Sequence, residues 1–251
     1  MKLSNQFNWL LVPKMNLLIL CAGRGSRLRP LTNTIPKSLL TLDEENTILL
    51  RLLKQFCLYF KPTNVWINVS THAPYFIDYV AGVPENLKPT ILYENELLGS
   101  ANTVFEFFES GKDNTLIVHG DLMLSDRYIY DLMTKIGATS LNTVVCHSRI
   151  AKQARSRISV NESNKVMGFQ NNYHSLDTES VLVNSGIYFF RDVDSLGNKP
   201  PLGVEIADSI LNHMIQEGTL FAQPNEEQRV SIDSPDRLRE AQLLILREKS
   251  H

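Results

Sequence analysis

The chain has 251 residues, of which 43% are apolar, with 25 Lys and Arg against 27 Asp and Glu. The length and apolar content suffice for one large domain with a hydrophobic core. A net charge of −2 argues against the basic footprint of a nucleic-acid-binding protein, and no apolar run reaches the roughly 18 residues of a membrane helix. We therefore expect a globular protein that meets a small anionic ligand locally, with no nucleic-acid or membrane partner.

The cysteines and the N-terminus favour a cytoplasmic protein. Cys21, Cys57 and Cys146 are widely spaced and lack the C-x-x-C pattern or the histidine pair of a disulfide framework or zinc site. The first residues contain one short apolar stretch, 9–12, which is too short for a signal peptide. Because the first clear strand begins at Met15, residues 1–14 are interpreted as an N-terminal extension.

Short apolar strands alternate with helical stretches in the first part of the chain. The predicted strands are residues 16–22, 64–70, 90–93, 115–119 and 142–147. Residues 48–60 and 127–136 carry apolar side chains at helical spacing. This alternation predicts an α/β fold, a Rossmann-like mixed and mostly parallel sheet flanked by helices.

After Arg149 the pattern changes to hairpin-like segments, “RISV”, “KVMGF” and “SVLVNSGIYFF”. They predict a small mixed region within a single domain. Residues 205–217 and 235–247 then have helical patterns, with Ser234 as the N-cap and Pro235 at the first helical position.

The segment after the first predicted strand, “CAGRGSRLRPLTNTIPKSLL”, is rich in glycine and positive charge. A glycine turn at the end of the first parallel strand lets backbone N–H groups approach a phosphate closely, and Gly23 and Gly25 fit that use. The G-x-G pattern alone is weak evidence, since a turn with solvated cations has the same pattern. Arg27, Arg29 and Lys37, which follow closely, strengthen the phosphate-binding interpretation.

The same segment resembles the signature of the sugar-phosphate nucleotidyltransferases, L-A-A-G-x-G-[TS]-R-L-x-P-L-T followed by P-K. The matching residues are Leu20, Ala22, Gly23, Gly25, Ser26, Arg27, Leu28, Pro30, Leu31, Thr32, Pro36 and Lys37. Cys21 and Ser38 depart from the usual residues without changing the charged groups. The resemblance implies a nucleotide-binding set of Leu20, Ala22, Gly23, Gly25, Ser26 and Arg27.

Further segments resemble the family in the expected order. “YENELLGSANTV” resembles the segment that lines the nucleobase pocket, with Glu94 and Gly99 at the base-contacting positions. “LIVHGDLMLSD” and “VSIDSPDRLREA” resemble the two metal-binding segments, which implies that Asp121 and Asp233 hold Mg²⁺. For either aspartate alone, a turn or a helix cap would be the better interpretation. The resemblance covers roughly residues 15–245.

The segments that would bind the acceptor resemble the family pattern at two places and depart from it at one. “VNSGIYFF” and “GVEIAD” resemble the sugar-binding segments and place Asn184 and Glu205 near the sugar. The family commonly has Glu-Lys-Pro after a G-F strand, but this chain has “GFQNNYHS”, which puts Gln170 at the sugar-binding position and leaves the phosphate without its lysine. Arg155 and Arg157 are candidate replacements, although solvated strand edges explain them equally well.

The resemblance implies one nucleotidyltransferase domain over residues 15–251, with a nucleotide-binding part, 15–149, and a sugar-phosphate-binding part, 150–251. The implied reaction is Mg²⁺-dependent transfer of a nucleotidyl group from a nucleoside triphosphate to a sugar 1-phosphate, which releases pyrophosphate and forms a nucleotide sugar. Arg27, Lys37 and Asp121 are the implied catalytic residues. An ionised Glu94 can only accept hydrogen bonds, which slightly favours guanine and hence GTP.

Two alternatives stay open at this point. A cytidylyltransferase for phosphocholine or a phosphonate shares the first motif and would explain the missing Glu-Lys-Pro, whereas “LLGSANTV” favours the sugar branch. A non-catalytic, nucleotide-sugar-binding regulatory subunit is disfavoured by the intact Arg27, Lys37, Asp121 and Asp233. The leading interpretation places the enzyme in the synthesis of activated sugars for polysaccharides, either as a monomer or as a homo-oligomer.

Overall fold

A computed structural model describes residues 14–137 and 139–249. The predicted N-terminal extension, apart from Lys14, lies outside the described residues. The strands are β1 Asn16–Leu20, β2 Asn64–Val69, β3 Thr90–Tyr93, β4 Thr115–His119, β5 Leu122–Leu124, β6 Asn142–Ile150, β7 Ser156–Val160, β8 Val166–Asn171, β9 Ser180–Phe190, β10 Leu220–Pro224 and β11 Arg229–Ser231. The helices are α1 Ile48–Tyr59, α2 Ala73–Ala81, α3 Ser100–Glu109, α4 Asp126–Ile136, α5 Ile210–Gln216 and α6 Pro235–Lys249.

The main sheet has the order β10-β6-β9-β4-β1-β2-β3, with β7 and β8 attached beside β9. Strands β3, β2, β1 and β4 run parallel to one another, and β10 runs parallel to β6. Strand β9 is antiparallel to both β4 and β6. A separate two-stranded sheet pairs β5 with β11. The predicted mixed, mostly parallel α/β architecture is therefore confirmed.

Helices cover both faces of the sheet. On one face, α1, α2, α4 and α6 pack their apolar sides around Phe56 and Phe76. On the other face, α3 and α5 pack around Phe107, Phe108 and Met214. Each fully buried side chain of this size stabilises the fold by about 1.5–3 kcal/mol relative to an exposed one. None of the helices in the described ranges combines the length and apolar character needed to cross a bilayer.

The bounds of several predicted elements differ from the structure, and β6, for example, continues to Ile150 rather than ending at residue 147. Strand β1 ends at Leu20 rather than at residue 22, because the chain turns away and the N–H of Cys21 donates to Asn68 Oδ1 at 2.6 Å. The predicted helix over 205–217 is wrong in its first part, which forms a short 3-10 turn. Ser209, at φ −131° and ψ −79°, separates that turn from α5. The predicted N-cap is confirmed, since Ser234 Oγ accepts a hydrogen bond from the N–H of Arg237 at 3.3 Å.

Candidate active site

A cavity of about 570 Å³ opens at the carboxyl edge of β1, β2 and β4, where α/β proteins commonly bind ligands. The predicted site residues in its wall are Leu20, Ala22, Gly23, Gly25, Ser26, Arg27, Lys37, Glu94, Gly99, Asp121, Glu205 and Asp233. The sequence did not predict Asn68, Ser100, Thr103 and His119, which also line it. The fold thus gathers residues from distant parts of the chain into one cavity.

The two glycines of the turn after β1 differ in what surrounds them, so glycine is needed at each for a different reason. Gly25 has φ +61°, and a Cβ there would lie 3.1 Å from Thr32 Cγ2 and 3.3 Å from Lys37 Cβ. Thr32 Oγ1 also donates to the carbonyl of Gly25 at 2.7 Å, which closes the turn. A Cβ on Gly23 would have no heavy atom within 4 Å. Gly25 is therefore needed for the turn itself, whereas Gly23 leaves space for close approach from the cavity.

Lys37 and Asp121 form an ion pair inside the cavity. Lys37 Nζ lies 2.5 Å from Asp121 Oδ2, and 16% and 22% of the two side chains are exposed. Burial alone would raise the pKa of the Asp121 carboxyl, but the charges of Lys37 and His119 outweigh it and hold this pKa below its usual value. Asp121 is therefore ionised at neutral pH, and its other oxygen, Oδ1, is buried with no hydrogen-bond partner.

Arg27 and Asp233 form a second, more exposed ion pair. Arg27 NH1 lies 3.2 Å from Asp233 Oδ2, and 74% and 40% of the two side chains are exposed. Asp233 follows β11, whose partner β5 begins directly after Asp121. The carbonyl of Asp121 accepts a hydrogen bond from the N–H of Ile232 at 2.8 Å, which fixes the two aspartate-bearing segments side by side. Arg27 and Lys37, two cations of the glycine-rich segment, thus each lie against one carboxylate.

The two aspartates fit the ligand preferences of Mg²⁺. Among the described residues, no group of three or more His, Cys, Asp or Glu side chains forms a complete metal cage. Mg²⁺ commonly uses one or two carboxylates together with phosphate oxygens and waters rather than an all-protein cage. The buried, unpartnered Oδ1 of Asp121 is a hard oxygen acceptor of this kind.

Glu94 is buried at the carboxyl end of β3 and held by two neutral donors. Its Oε1 accepts hydrogen bonds from Asn68 Nδ2 at 2.8 Å and from Thr103 Oγ1 at 2.6 Å. Asn68 Oδ1 in turn accepts from the N–H of Cys21 at 2.6 Å. A single buried amide therefore joins the glycine-rich segment to the carboxylate in the predicted base pocket. The position of Asn68 near the end of a parallel strand was the one sequence signal for this role.

Gly99 joins the base pocket to the segment that carries Glu205. Gly99 has φ +85°, and a Cβ there would lie 2.6 Å from the carbonyl carbon of Gly203 and 2.7 Å from the backbone of Val204. Ser100, at the start of α3, donates its hydroxyl to Glu205 and accepts from the N–H of Ile206 at 2.9 Å. These contacts fix Glu205 at the mouth of the cavity.

Two predicted acceptor residues lie outside the cavity wall. The side-chain amide of Asn184 donates to the hydroxyl of Tyr188 at 2.7 Å and accepts from the N–H of Gly186 at 2.9 Å. Gln170 is exposed on β8. Next to it, Asn171 donates to the carboxylate of Asp208 at 3.1 Å. The structure therefore brings Glu205 to the cavity, and the roles of Asn184 and Gln170 stay predictions.

The two candidate cations for the acceptor phosphate, Arg155 and Arg157, also lie outside the cavity wall. The guanidinium of Arg157 lies 5.8 Å from the ring centre of Tyr173, which is a cation–π arrangement outside the cavity wall. Arg155 is exposed just before β7. Neither side chain lines the cavity.

Comparison with curated proteins gives relatives of about twice the length. The chain is 25% identical over 211 residues to the bifunctional protein GlmU of Methanococcus maripaludis, covering 82% of this chain and 48% of that protein. It is 25% identical over 214 residues to GlmU of Methanocaldococcus jannaschii, covering 81% and 47% respectively. The chain thus spans about half the length of the curated relatives it matches.

Solved structures share the fold. HddC from Yersinia pseudotuberculosis complexed with GMP-PN superposes with a TM-score of 0.74 at 18% identity, covering 92% of this chain and 99% of that one. A UDP-glucose pyrophosphorylase complexed with UDP-glucose gives 0.78 at 15% identity, covering 94% and 100%. The family model described as “Nucleotidyl transferase” matches residues 16–199. The signature after β1, the cavity at the carboxyl edge and this match together show that the chain belongs to the nucleotidyl transferase family.

Proposed function

We propose that the protein transfers a nucleotidyl group from a nucleoside triphosphate to a sugar 1-phosphate, releasing pyrophosphate and forming a nucleotide sugar. The observation that carries this proposal is the convergence of Arg27, Lys37, Asp121 and Asp233 on one cavity as two cation–carboxylate pairs. The structural neighbour named UDP-glucose pyrophosphorylase, which is complexed with UDP-glucose, supports the sugar-phosphate class.

The proposed reaction joins two polyanions, because an oxygen of the acceptor phosphate attacks the α-phosphorus of the triphosphate. Such transfers depend on in-line positioning and on neutralisation of spread negative charge. The planar fork of Arg27 suits bidentate contact with the β and γ phosphates, and Lys37 presents a compact charge for the α-phosphate. Mg²⁺, which Asp121 and Asp233 would hold, supplies further charge neutralisation at the phosphates.

Glu94 supports a preference for guanine and hence GTP. Both contacts to Oε1 come from donors, so this carboxylate acts as an acceptor. Guanine presents two N–H donors on one edge, which matches an acceptor-only group. Among the neighbours, one structure holds GMP-PN and another UDP-glucose, so the proposed preference rests on Glu94 itself.

The test is a pyrophosphate-release assay with Mg²⁺ that crosses GTP, UTP, CTP and dTTP against a panel of sugar 1-phosphates and phosphocholine. We expect turnover with one sugar 1-phosphate and GTP. Asp121→Asn should reduce it by at least about 100-fold, the loss typical of removing one group that stabilises developing charge. Asp78→Asn, at an exposed position of α2, is the matched control and should leave it unchanged.

Three outcomes would contradict parts of this proposal. Turnover with CTP and phosphocholine would replace the sugar acceptor with the cytidylyltransferase alternative. Nucleotide binding without turnover for any pair would favour a regulatory subunit. Full turnover by Asp121→Asn would exclude Asp121 from the reaction.

A cytoplasmic location is part of the proposal, supported by the unpaired Cys21, Cys57 and Cys146.

A further inference from the structure

His119 lies in the cavity wall and has no part in the charge neutralisation described for the reaction. It is the last residue of β4 and lines the cavity together with Asp121 and Glu205. Side chains two residues apart on a strand share one face of the sheet, so His119 lies on the face of Ile117, which α3 and α5 cover. Ile206, next to Glu205, packs on that same face. The imidazole therefore belongs to the side of the cavity that carries Glu205.

Strand β9 fixes the imidazole of His119 from one side. A Cβ added to Gly186 would lie 3.2 Å from Cγ and 3.2 Å from Nδ1 of the imidazole, so glycine leaves room for this ring. The ring centre of Tyr188 lies 5.8 Å from that of the imidazole, with the two planes tilted by 52°. We call Gly186 and Tyr188 the His119 seat.

One nitrogen of His119 has no partner. Nε2 is buried and makes no hydrogen bond within residues 14–137 and 139–249. Buried side-chain nitrogens are nearly always hydrogen-bonded in native proteins, so an exception in a cavity wall calls for a specific cause, such as a role in binding. The seat approaches Cγ and Nδ1, at one end of the ring. Nε2, at the other end, is therefore the atom left for a ligand.

Asn184 supports the His119 seat. Its side-chain nitrogen donates to the hydroxyl of Tyr188 at 2.7 Å, and its side-chain oxygen accepts from the N–H of Gly186 at 2.9 Å. Both polar atoms of this amide thus contact the seat, and Asn184 does not line the cavity. An effect of Asn184 on the acceptor would accordingly pass through the imidazole.

The chemistry of Nε2 suits a hydroxyl group better than a phosphate. In the proposed reaction, Arg27 and Lys37 meet the phosphates as fixed positive charges. An imidazole nitrogen donates or accepts one hydrogen bond according to its tautomer, and a sugar hydroxyl both donates and accepts. Either tautomer of His119 can therefore pair with a sugar hydroxyl.

We propose that Nε2 of His119 hydrogen-bonds one hydroxyl of the acceptor sugar and so selects the acceptor, and that Asn184 is a positioning residue that acts through the His119 seat. The inference rests on the proposed function and names the class of acceptor, a phosphorylated sugar with a hydroxyl at this point. Phosphocholine, which has no hydroxyl, would not make this contact.

Steady-state kinetics with the sugar 1-phosphate that gives turnover, and with its monodeoxy analogues, test the contact. In the wild type, one analogue should have a kcat/KM about 10-fold below that of the parent sugar, because a site built for a hydroxyl rejects the analogue that lacks it. His119→Phe keeps an aromatic ring against Tyr188 and should bring this ratio close to one. His174→Phe, at an exposed position, is the control and should keep the wild-type ratio. Unchanged ratios in His119→Phe for all analogues would overturn the inference.

A pair of amide variants controls for folding and packing. The side-chain amide of glutamine reaches about as far as Nε2 of histidine, whereas that of asparagine ends near Nδ1. We expect His119→Gln to keep part of the discrimination against the analogue and His119→Asn to lose it, with both variants checked by thermal unfolding. Full discrimination in both folded variants would exclude the contact through Nε2.

A double-mutant cycle tests the role of Asn184. If Asn184 acts through the seat, Asn184→Ala should weaken discrimination against the same analogue and cause no further loss when combined with His119→Phe. Additive losses, or discrimination lost against a different analogue, would show that Asn184 contacts the sugar itself and would overturn its positioning role.

Calorimetry separates failure of this inference from failure of the proposed function. UDP-glucose and GDP-mannose, with UDP and GDP as their sugar-free counterparts, are titrated into the wild type, His119→Phe and His174→Phe. We expect His119→Phe alone to weaken binding of a nucleotide sugar about 10-fold while affinity for its diphosphate stays within about twofold. This result supports the contact even where no pair gives turnover. Absence of nucleotide-sugar binding to the wild type, or an equal loss for nucleotide sugar and diphosphate, overturns it.

Discussion

On the nucleotide side of the cavity, Arg27, Lys37 and Glu94 each contact a partner from another element, whereas on the predicted acceptor side the guanidinium of Arg149, near the end of β6, has no hydrogen-bonded or ion-paired partner among the described residues. Lys37 contacts Asp121, Arg27 contacts Asp233, and Glu94 accepts two hydrogen bonds. Burial and the charges of Arg237 and Arg155 lower the pKa of the Arg149 guanidinium, whereas the charges of Asp233 and Glu240 raise it. The difference indicates that the nucleotide side is held largely by contacts within the chain, whereas the predicted acceptor residues Asn184 and Gln170 lie outside the cavity wall.

The largest effect on this comparison is expected from Lys37→Met. This change leaves Asp121 without its cation and removes a charge from the proposed path of the α-phosphate, so turnover should fall by at least about 100-fold. The control is Lys54→Met on α1, where Nζ contacts the Asn46 side chain away from the cavity. Pyrophosphate release measures both, and equal activity of the two variants would contradict the assignment.

Paired glycine substitutions separate backbone constraint from ligand space. In Gly99→Ala the new Cβ would lie 2.6 Å from the carbonyl carbon of Gly203, at a φ of +85°. We expect this strain to lower the free energy of unfolding by about 1–3 kcal/mol. Gly23→Ala has open space and should keep the melting temperature while weakening GTP binding about tenfold, or ~1.4 kcal/mol. Thermal unfolding and calorimetry give the two readouts. A large fall in the melting temperature for Gly23→Ala would show that this glycine has a structural role.

On the acceptor side, His147 predicts a pH dependence of stability. Burial and the neighbouring arginines lower its pKa to about 3 in the folded chain, against an ordinary value near 6.5. Between these values the unfolded chain binds one more proton, so stability falls as pH falls, by up to about 1.4 kcal/mol per pH unit. Above pH 6.5 this contribution to stability is fully present.

Denaturant unfolding at pH 7.5 and pH 5 measures this difference. The loss on acidification should be about 2 kcal/mol smaller in His147→Gln than in the wild type. His174→Gln, at an exposed position, is the control and should keep the full dependence. Identical pH profiles for the wild type and His147→Gln would show that burial and the arginines together do not lower the pKa of this histidine.

The smallest expected effect concerns the buried amide that joins the two parts of the nucleotide side. Asn68→Ala removes the contacts to Cys21 and Glu94, so the carboxylate loses one of its two donors. We expect the preference for GTP over the other triphosphates to fall roughly 5- to 10-fold, equivalent to ~1 kcal/mol. The ratios of kcat/KM report this change. An equal loss for all four triphosphates would indicate a general folding defect instead.

The sequence predicted the central strands closely because their residues are apolar and buried by neighbours on both faces. Predicted and observed bounds agree for the buried central strand β4, Thr115–His119, and also for the partly exposed edge strand β3, Thr90–Tyr93. The helix over 205–217 failed because Ser209 adopts a non-helical backbone, which the apolar spacing does not reveal. Helix α3, in which Asn102 and Thr103 are buried alongside aromatic residues, lacks a clear polar face and was not predicted.

The residues of the candidate site also divide into those that a local pattern predicts and those that depend on contacts between distant parts of the chain. The glycine-rich motif identified its residues because local backbone geometry fixes them, as at Gly25. Asn68 and Thr103 were missed because their roles depend on hydrogen bonds to Glu94, which lies elsewhere in the sequence. His147 meets Ser185 and Arg229 from separate segments of the chain, so no local pattern could indicate these contacts.

On the proposed function, strand β9 gives the fold room to vary its acceptor specificity. It hydrogen-bonds to both β4 and β6, while the β7–β8 hairpin meets it at the pair Ile158 and Leu182. Insertions or deletions in the hairpin therefore leave the register between β4 and β9 undisturbed. A mutational path to a new acceptor can accordingly proceed through this hairpin while the triphosphate-binding geometry is inherited unchanged.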